Sequence, residues 1–254
     1  MRKLSEMSVL ITGGGSGIGA GTARHLVAGG ARVTICGRRP DKIAAVAEQI
    51  GDGCRAVVAD ITQAGDREHV VAEAVEYGGG LDALINNAGN MLRGNIDELD
   101  ETELIDLFHT NVIGGMLLTG VSVPALAERR GAVVFLGSVH TRRAFPGASA
   151  YAASKGAVTA LTQVLAAELG PREIRVNCVI PGAVFTEINQ RAGLLDDAAA
   201  LDRLKGMASL HVLGRIGTEQ EVAEAIEHLL RSEWTTGAIL DVDGGLGLGV
   251  TLNA

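Results

Sequence analysis

The sequence predicts a doubly wound α/β fold. A single domain spans residues 1–254, with a seven-stranded parallel sheet and helices on both faces. Three observations predict it. Short β-rich runs alternate with longer helical patterns from end to end, the signature of βαβ units and a parallel sheet covered on both sides. A glycine-rich turn joins the first strand to the first helix. Hydrophobic residues make up 47% of the chain but aromatics only 3%, so the core must rest on Val, Ile, Leu and Ala.

The elements follow in order. Residues 7–12 (MSVLIT) read as a strand and 17–29 as a helix; 31–36 (ARVTIC) is a strand, and DKIAAVAEQI a helix. Residues 55–59 and 82–86 are strands flanking a helix over 66–77. One long helical segment spans 101–129, followed by the strand AVVFL at 132–136 and a helix over 149–169. The strand at 175–180, a helix over 219–230 and a last strand at 238–242 complete the pattern. The stretch 186–217 breaks the rhythm. A weakly patterned loop of that length in a compact domain reads as a substrate-binding loop or lid. No linker or repeat divides the chain.

Composition excludes several classes. A formal net charge of -8, with arginines scattered and grouped only as short pairs (38–39, 129–130, 142–143), gives no footprint for nucleic acid. Cys36, Cys54 and Cys178 are far apart without CxxC spacing, so neither a metal site nor a disulfide framework is expected; they read as buried free thiols. The N-terminus lacks a signal-type apolar region, and charged or glycine residues break the long apolar stretches. The expectation is a cytoplasmic protein with no membrane span.

In such sheets ligands bind outside the carboxyl ends of the strands, so residues just after each strand carry the functional reading. After the first comes TGGGSGIG at 12–19. Backbone N–H groups of Gly13, Gly15, Ser16, Gly17 and Ile18 can face a pyrophosphate at the helix N-terminus, while Gly19 permits close packing. This is a Rossmann-type dinucleotide loop. The second strand ends in ICGRRPDK: Gly37 stands where an acidic residue would bind the ribose of NAD, and Arg38 and Arg39 follow. That favours NADP(H) and leaves NAD(H) open. Asp41 is expected in the first turn of the next helix. Asp60, with Ile61, follows the third strand; its carboxylate either meets the adenine amino group or caps the turn. Asn87, Ala88 and Gly89 follow the fourth and let the backbone approach the cofactor.

Ser138 closes the fifth strand, and Tyr151 and Lys155 lie one turn apart on the next helix, sharing a face. Hydride transfer to a carbonyl makes an alkoxide that needs a proton. A phenol serves at neutral pH only if its pKa is shifted, and the Lys155 ammonium is expected to lower it by about two units. Ser138 supplies a hydrogen bond to the substrate oxygen.

With TGGGSGIG, NNAG at 86–89, Asn111 in HTNVIGG, Ser138, YAASK at 151–155 and PGAVFT at 181–186, the chain resembles the short-chain dehydrogenases/reductases over nearly its full length, 3-oxoacyl-acyl-carrier-protein reductases among them. The resemblance implies an oxidoreductase interconverting a ketone and a secondary alcohol, with no catalytic metal. Tyr151 would be the acid/base and Ser138 would polarise the carbonyl. Lys155 would hold the nicotinamide ribose, and Asn111 would anchor a relay water. Pro181, Gly182, Val184 and Thr186 would contact the nicotinamide side. The family implies a homotetramer assembled partly through the helices around 101–129 and 149–169. The substrate is a small molecule, expected against His140, Met91, Leu92, Phe145, Val184, Leu194, Leu195, Met207 and Leu210. These are mostly apolar, and the ketone stays unidentified. His140, Arg142 and Arg143 could meet an anion or simply be solvated. A catalytically idle redox sensor is the competing class, disfavoured because the Ser-Tyr-Lys-Asn set is intact.

Overall fold

A computed structural model describes residues 1–184 and 206–250. The strands are β1 (Ser8–Thr12), β2 (Arg32–Gly37), β3 (Cys54–Val58), β4 (Ala83–Asn86), β5 (Ala132–Leu136), β6 (Arg175–Pro181) and β7 (Ile239–Val242). They form one parallel sheet in the order β3-β2-β1-β4-β5-β6-β7. The order reverses direction between β1 and β4, and that switch point opens a crevice above the carboxyl ends.

The alternating side chains of the strands divide the core in two. Val9 and Ile11 of β1, Val33 and Ile35 of β2 and Val134 of β5 point to one face. There they meet Leu26 of α1 (Gly17–Ala28), Ile43 of α2 (Pro40–Ile50) and Ile226 of α7 (Glu219–Arg231). Leu10, Leu84, Val133 and Phe135 point to the other. They meet Val70 of α3 (Ala64–Gly78), Leu118 of α5 (Gly114–Glu128) and Val158 of α6 (Ser149–Leu169). Truncating one such fully buried Leu or Ile to Ala costs about 2–5 kcal/mol, because the close-packed neighbours only partly collapse.

The predicted elements are present with ends shifted by one or two residues, except for the segment 101–129. There α4 (Glu101–Phe108) passes through a π-helical turn, His109–Ile113, before α5 begins. Asp100 caps α4 by accepting from the Glu103 N–H, so the helix starts as its sequence dictates. The π-turn has no comparable signature and carries Asn111. By length and composition alone 101–128 is apolar enough to cross a bilayer. Half of its most apolar window is nevertheless buried in the fold, where α5 packs on β4 and α3. Cys36 and Cys178 are buried as expected, but Cys54, at the start of the edge strand β3, is only partly covered.

Candidate active site

A cleft of about 460 Å³ runs along the carboxyl ends of the strands. At one end is the glycine loop. Gly13 has φ +67°, and a Cβ there would lie 3.0 Å from the Ala88 main chain. The loop is tied to the segment after β4. Thr12 Oγ1 accepts the N–H groups of Asn87 and Ala88 at 3.0 and 2.9 Å, and Asn87 Nδ2 donates to the carbonyls of Thr12 and Gly13. Ser16 is the N-cap of α1 but makes no side-chain cap, so no side chain of its own covers the first-turn amides. Gly13, Gly15, Ser16, Gly17 and Ile18 line the cleft. Gly19 does not: its Cβ position is filled by Asn87 Nδ2 and the Gly13 carbonyl, each 2.5 Å away. It acts by letting the helix sit against the loop rather than by facing a ligand.

Around the end of β2, the cleft is lined by Gly37, Arg38, Arg39 and Lys42. Arg38 lies 3.9 Å from Asp60 Oδ2 with its side chain 57% exposed, and Arg39 reaches Ser16 Oγ at 3.4 Å. Asp41 occupies the first turn of α2, as expected. Asp60 caps its turn: Oδ1 accepts both the N–H and the hydroxyl of Thr62. Asp60 and Ile61 still line the cleft, with Asn87, Ala88 and Gly89 opposite. A Cβ on Gly89 would approach Asn111 Oδ1 to 3.3 Å and Lys155 Nζ to 3.4 Å, so the bare backbone keeps the floor open. Uncapped helix amides, a cluster of cations and glycine-lined walls fit the phosphate and ribose chemistry of a nicotinamide dinucleotide.

At the other end β5 delivers Ser138, and α6 places Tyr151 and Lys155 in its first two turns. All three are buried, at 7%, 5% and 5% exposure. Lys155 Nζ donates to the Leu136 carbonyl at 2.8 Å and lies 5.8 Å from the centre of the Tyr151 ring. The expected lowering of the phenol pKa is not what this site does. Burial raises it, and a hydrogen bond from Ser138 and the positive charge of Arg93 only partly oppose that. Burial also lowers Lys155 to about 8, so its ammonium loses its proton before the phenol can use it.

Asn111 does not line the cleft. Its side chain holds the main chain of Asn90 from both sides: Oδ1 accepts the N–H at 2.7 Å, and Nδ2 donates to the carbonyl at 2.9 Å and to Ser154 Oγ at 3.0 Å. It therefore fixes the segment that carries Met91 and Arg93.

Met91, His140, Phe145, Val184 and Met207 line the cleft, as do Pro181 and Gly182; Leu92 and Leu210 do not. Thr186, Leu194 and Leu195 lie outside the described residues, as does most of the proposed lid; within its described part, Gly217 bridges back to Val184. Arg142 pairs with Asp241 and Arg143 donates to the Leu246 carbonyl, so neither faces the cleft. The sequence reading missed Arg93 and Lys42, both of which line it. Spacing from Arg38 could have found Lys42, whereas Arg93 lies in the loop beyond NNAG, where no periodic signal marks it.

The comparisons agree with this geometry. The family model of the short chain dehydrogenases matches residues 7–194. The chain is 36% identical to a glucose 1-dehydrogenase of Gluconobacter oxydans, covering 97% of this chain and 94% of that protein. It is 35% identical to a 2,5-dichloro-2,5-cyclohexadiene-1,4-diol dehydrogenase of Sphingobium indicum, covering 96% and 98%. A crystal structure of a 3-ketoacyl-(acyl-carrier-protein) reductase from Brucella melitensis complexed with NADH superposes with a TM-score of 0.87 at 32% identity, covering 95% of this chain and 98% of that one. With a parallel Rossmann-type sheet, a glycine-loop cleft and buried Ser138, Tyr151 and Lys155 at its end, the chain belongs to the short-chain dehydrogenase family of NAD(P)-dependent oxidoreductases.

Proposed function

We propose that the chain interconverts a ketone and a secondary alcohol using NADP(H). One observation carries the reading: Ser138, Tyr151 and Lys155 are buried together where the cofactor cleft ends. When bound, the dinucleotide supplies or accepts the hydride. In reduction the Ser138 hydroxyl donates to the carbonyl oxygen, and Tyr151 gives its proton to the alkoxide as it forms. A phenol whose pKa is raised by burial holds that proton firmly until the developing negative charge draws it off. In oxidation the same residue must first be deprotonated, so that direction is faster at alkaline pH.

Lys155, anchored on Leu136, presents its remaining N–H groups to the nicotinamide ribose. The Asn111 side chain is committed to Asn90 and Ser154. A relay water must therefore use its main-chain carbonyl or the second lone pair of Oδ1. Gly37 in the acidic position and the cations Arg38, Arg39 and Lys42 support the preference for a 2′-phosphate. A homotetramer is supported by Ile105, Ile113, Met116, Leu117 and Val164, exposed apolar side chains on the helices that the family resemblance implicates. The test is a panel of ketones and secondary alcohols assayed with both cofactors by nicotinamide absorbance. Turnover favouring NADP(H) supports the reading; cofactor binding without turnover of any compound favours an idle binder.

A further inference from the structure

His140 stands beside this machinery without a role in it. Its ring packs tilted on Phe145 at 4.5 Å and edge-on to Tyr151 at 5.1 Å. Its Nδ1 lies 3.1 Å from Ser138 Oγ, and its own main-chain N–H also points to that oxygen at 3.4 Å. Among the described residues Nε2 is buried with no hydrogen-bond partner. Burial and the charge of Arg93 hold the ring neutral, with a pKa of about 4, so one ring nitrogen carries the proton and the other does not.

Two arguments decide which. A serine hydroxyl has one O–H to give and two lone pairs to fill. If Nδ1 carried no proton, the Ser138 O–H would be drawn onto it, and neither Tyr151 nor a substrate oxygen would receive it. If Nδ1–H donates, His140 fills both lone pairs, through its ring and its main chain. The single O–H is then left free for Tyr151 or a substrate oxygen in the cleft that Ser138, His140 and Tyr151 all line. The second argument concerns Nε2. A proton there would be a buried donor with no acceptor, which is rarer in folded proteins than an under-satisfied acceptor.

We infer that His140 is a positioning residue: its Nδ1–H fixes the Ser138 hydroxyl with the O–H aimed at the reacting oxygen. This rests on the proposed ketone–alcohol reaction. It makes the function of Ser138 depend on a residue outside the Ser-Tyr-Lys set and on one tautomer of that residue.

Three substitutions separate the nitrogens. In His140→Asn the side-chain amide places a donor near the Nδ1 position. His140→Gln places it near Nε2, and His140→Leu removes it. Each is assayed on a substrate the wild type turns over, beside Ser138→Ala and Tyr151→Phe, with cofactor affinity and thermal unfolding measured on every variant. His140→Leu and His140→Gln should lose about 10–100-fold in kcat, approaching Ser138→Ala, with cofactor affinity unchanged. His140→Asn should stay within about threefold of wild type. The pH limb of alcohol oxidation should move upward in the Leu and Gln variants but not in Asn. Burial, Ser138 and Arg93 set the acidity of Tyr151, and the Asn–Gln contrast isolates Ser138 because both amides replace the ring that packs on the phenol. Wild-type kcat in His140→Leu, or equal losses in Asn and Gln, overturns the inference. If Leu fails to fold, the Asn–Gln contrast still decides. Undiminished turnover in Tyr151→Phe would instead overturn the underlying reaction.

Discussion

Arg38→Ala should weaken NADPH binding by about 5–30-fold and leave NADH binding within about twofold. The magnitude comes from what Arg38 exchanges. It faces Asp60 at 3.9 Å with 57% of its side chain exposed. Such a pair contributes about 0–1 kcal/mol, because water and salt screen it. A charge-assisted hydrogen bond to a 2′-phosphate is worth about 1.5–3 kcal/mol. Subtracting about 0.5–1 kcal/mol for the lost Asp60 contact leaves about 1–2 kcal/mol, which is the stated range of Kd. Arg39 and Lys42 line the same region, so the loss is partial rather than complete. Titrating both cofactors into wild type and variant reads the effect, and raising the salt should shrink the NADPH difference. Equal losses for NADPH and NADH, or a wild type that binds NADH more tightly, would refute the assignment.

Other perturbations test the frame around the site. Lys155 has a folded pKa of about 8, below its ordinary value of 10.5, so between those limits the unfolded chain binds more protons. The ligand-free stability of wild type relative to Lys155→Met should therefore rise as pH increases from about 8 towards 10. Denaturant unfolding at several pH values measures it, and a flat or falling difference would contradict the burial of the ammonium. Gly19→Ala places a methyl 2.5 Å from Asn87 Nδ2 and from the Gly13 carbonyl, atoms held by the loop's own hydrogen bonds. It should cost about 1–3 kcal/mol in thermal unfolding and weaken both cofactors. An unchanged Tm would show that the loop yields.

What the sequence made legible follows from what is local. The strand–helix alternation, the glycine turn and the Tyr151–Lys155 spacing depend on period and neighbours, so the fold, the cleft and the placing of Tyr151 and Lys155 beside it could all be read in advance. The π-turn at His109–Ile113 has no such signature, and with it went the hold of the Asn111 side chain on the Asn90 main chain. Arg93 escaped because it follows NNAG in a loop without periodicity, and its effect on Tyr151 is an electrostatic fact of three dimensions. The expected lowering of the Tyr151 pKa failed because a Coulomb estimate between two groups ignores their shared burial, which pushes the phenol up and the ammonium down. Thr62 as the partner of Asp60 could have been read, since an Asx turn needs only the residue two positions on.

The central claim is that Tyr151 moves the proton. Tyr151→Phe keeps the ring, its packing against His140 and the cleft walls, and removes one oxygen. Loss of a positioned general acid/base lowers turnover by about 10²–10⁴-fold. The decisive measurement is kcat for this variant on a substrate the wild type reduces, with NADPH affinity determined on the same preparation. The account predicts a fall of that size with cofactor binding intact; near-wild-type turnover would contradict it.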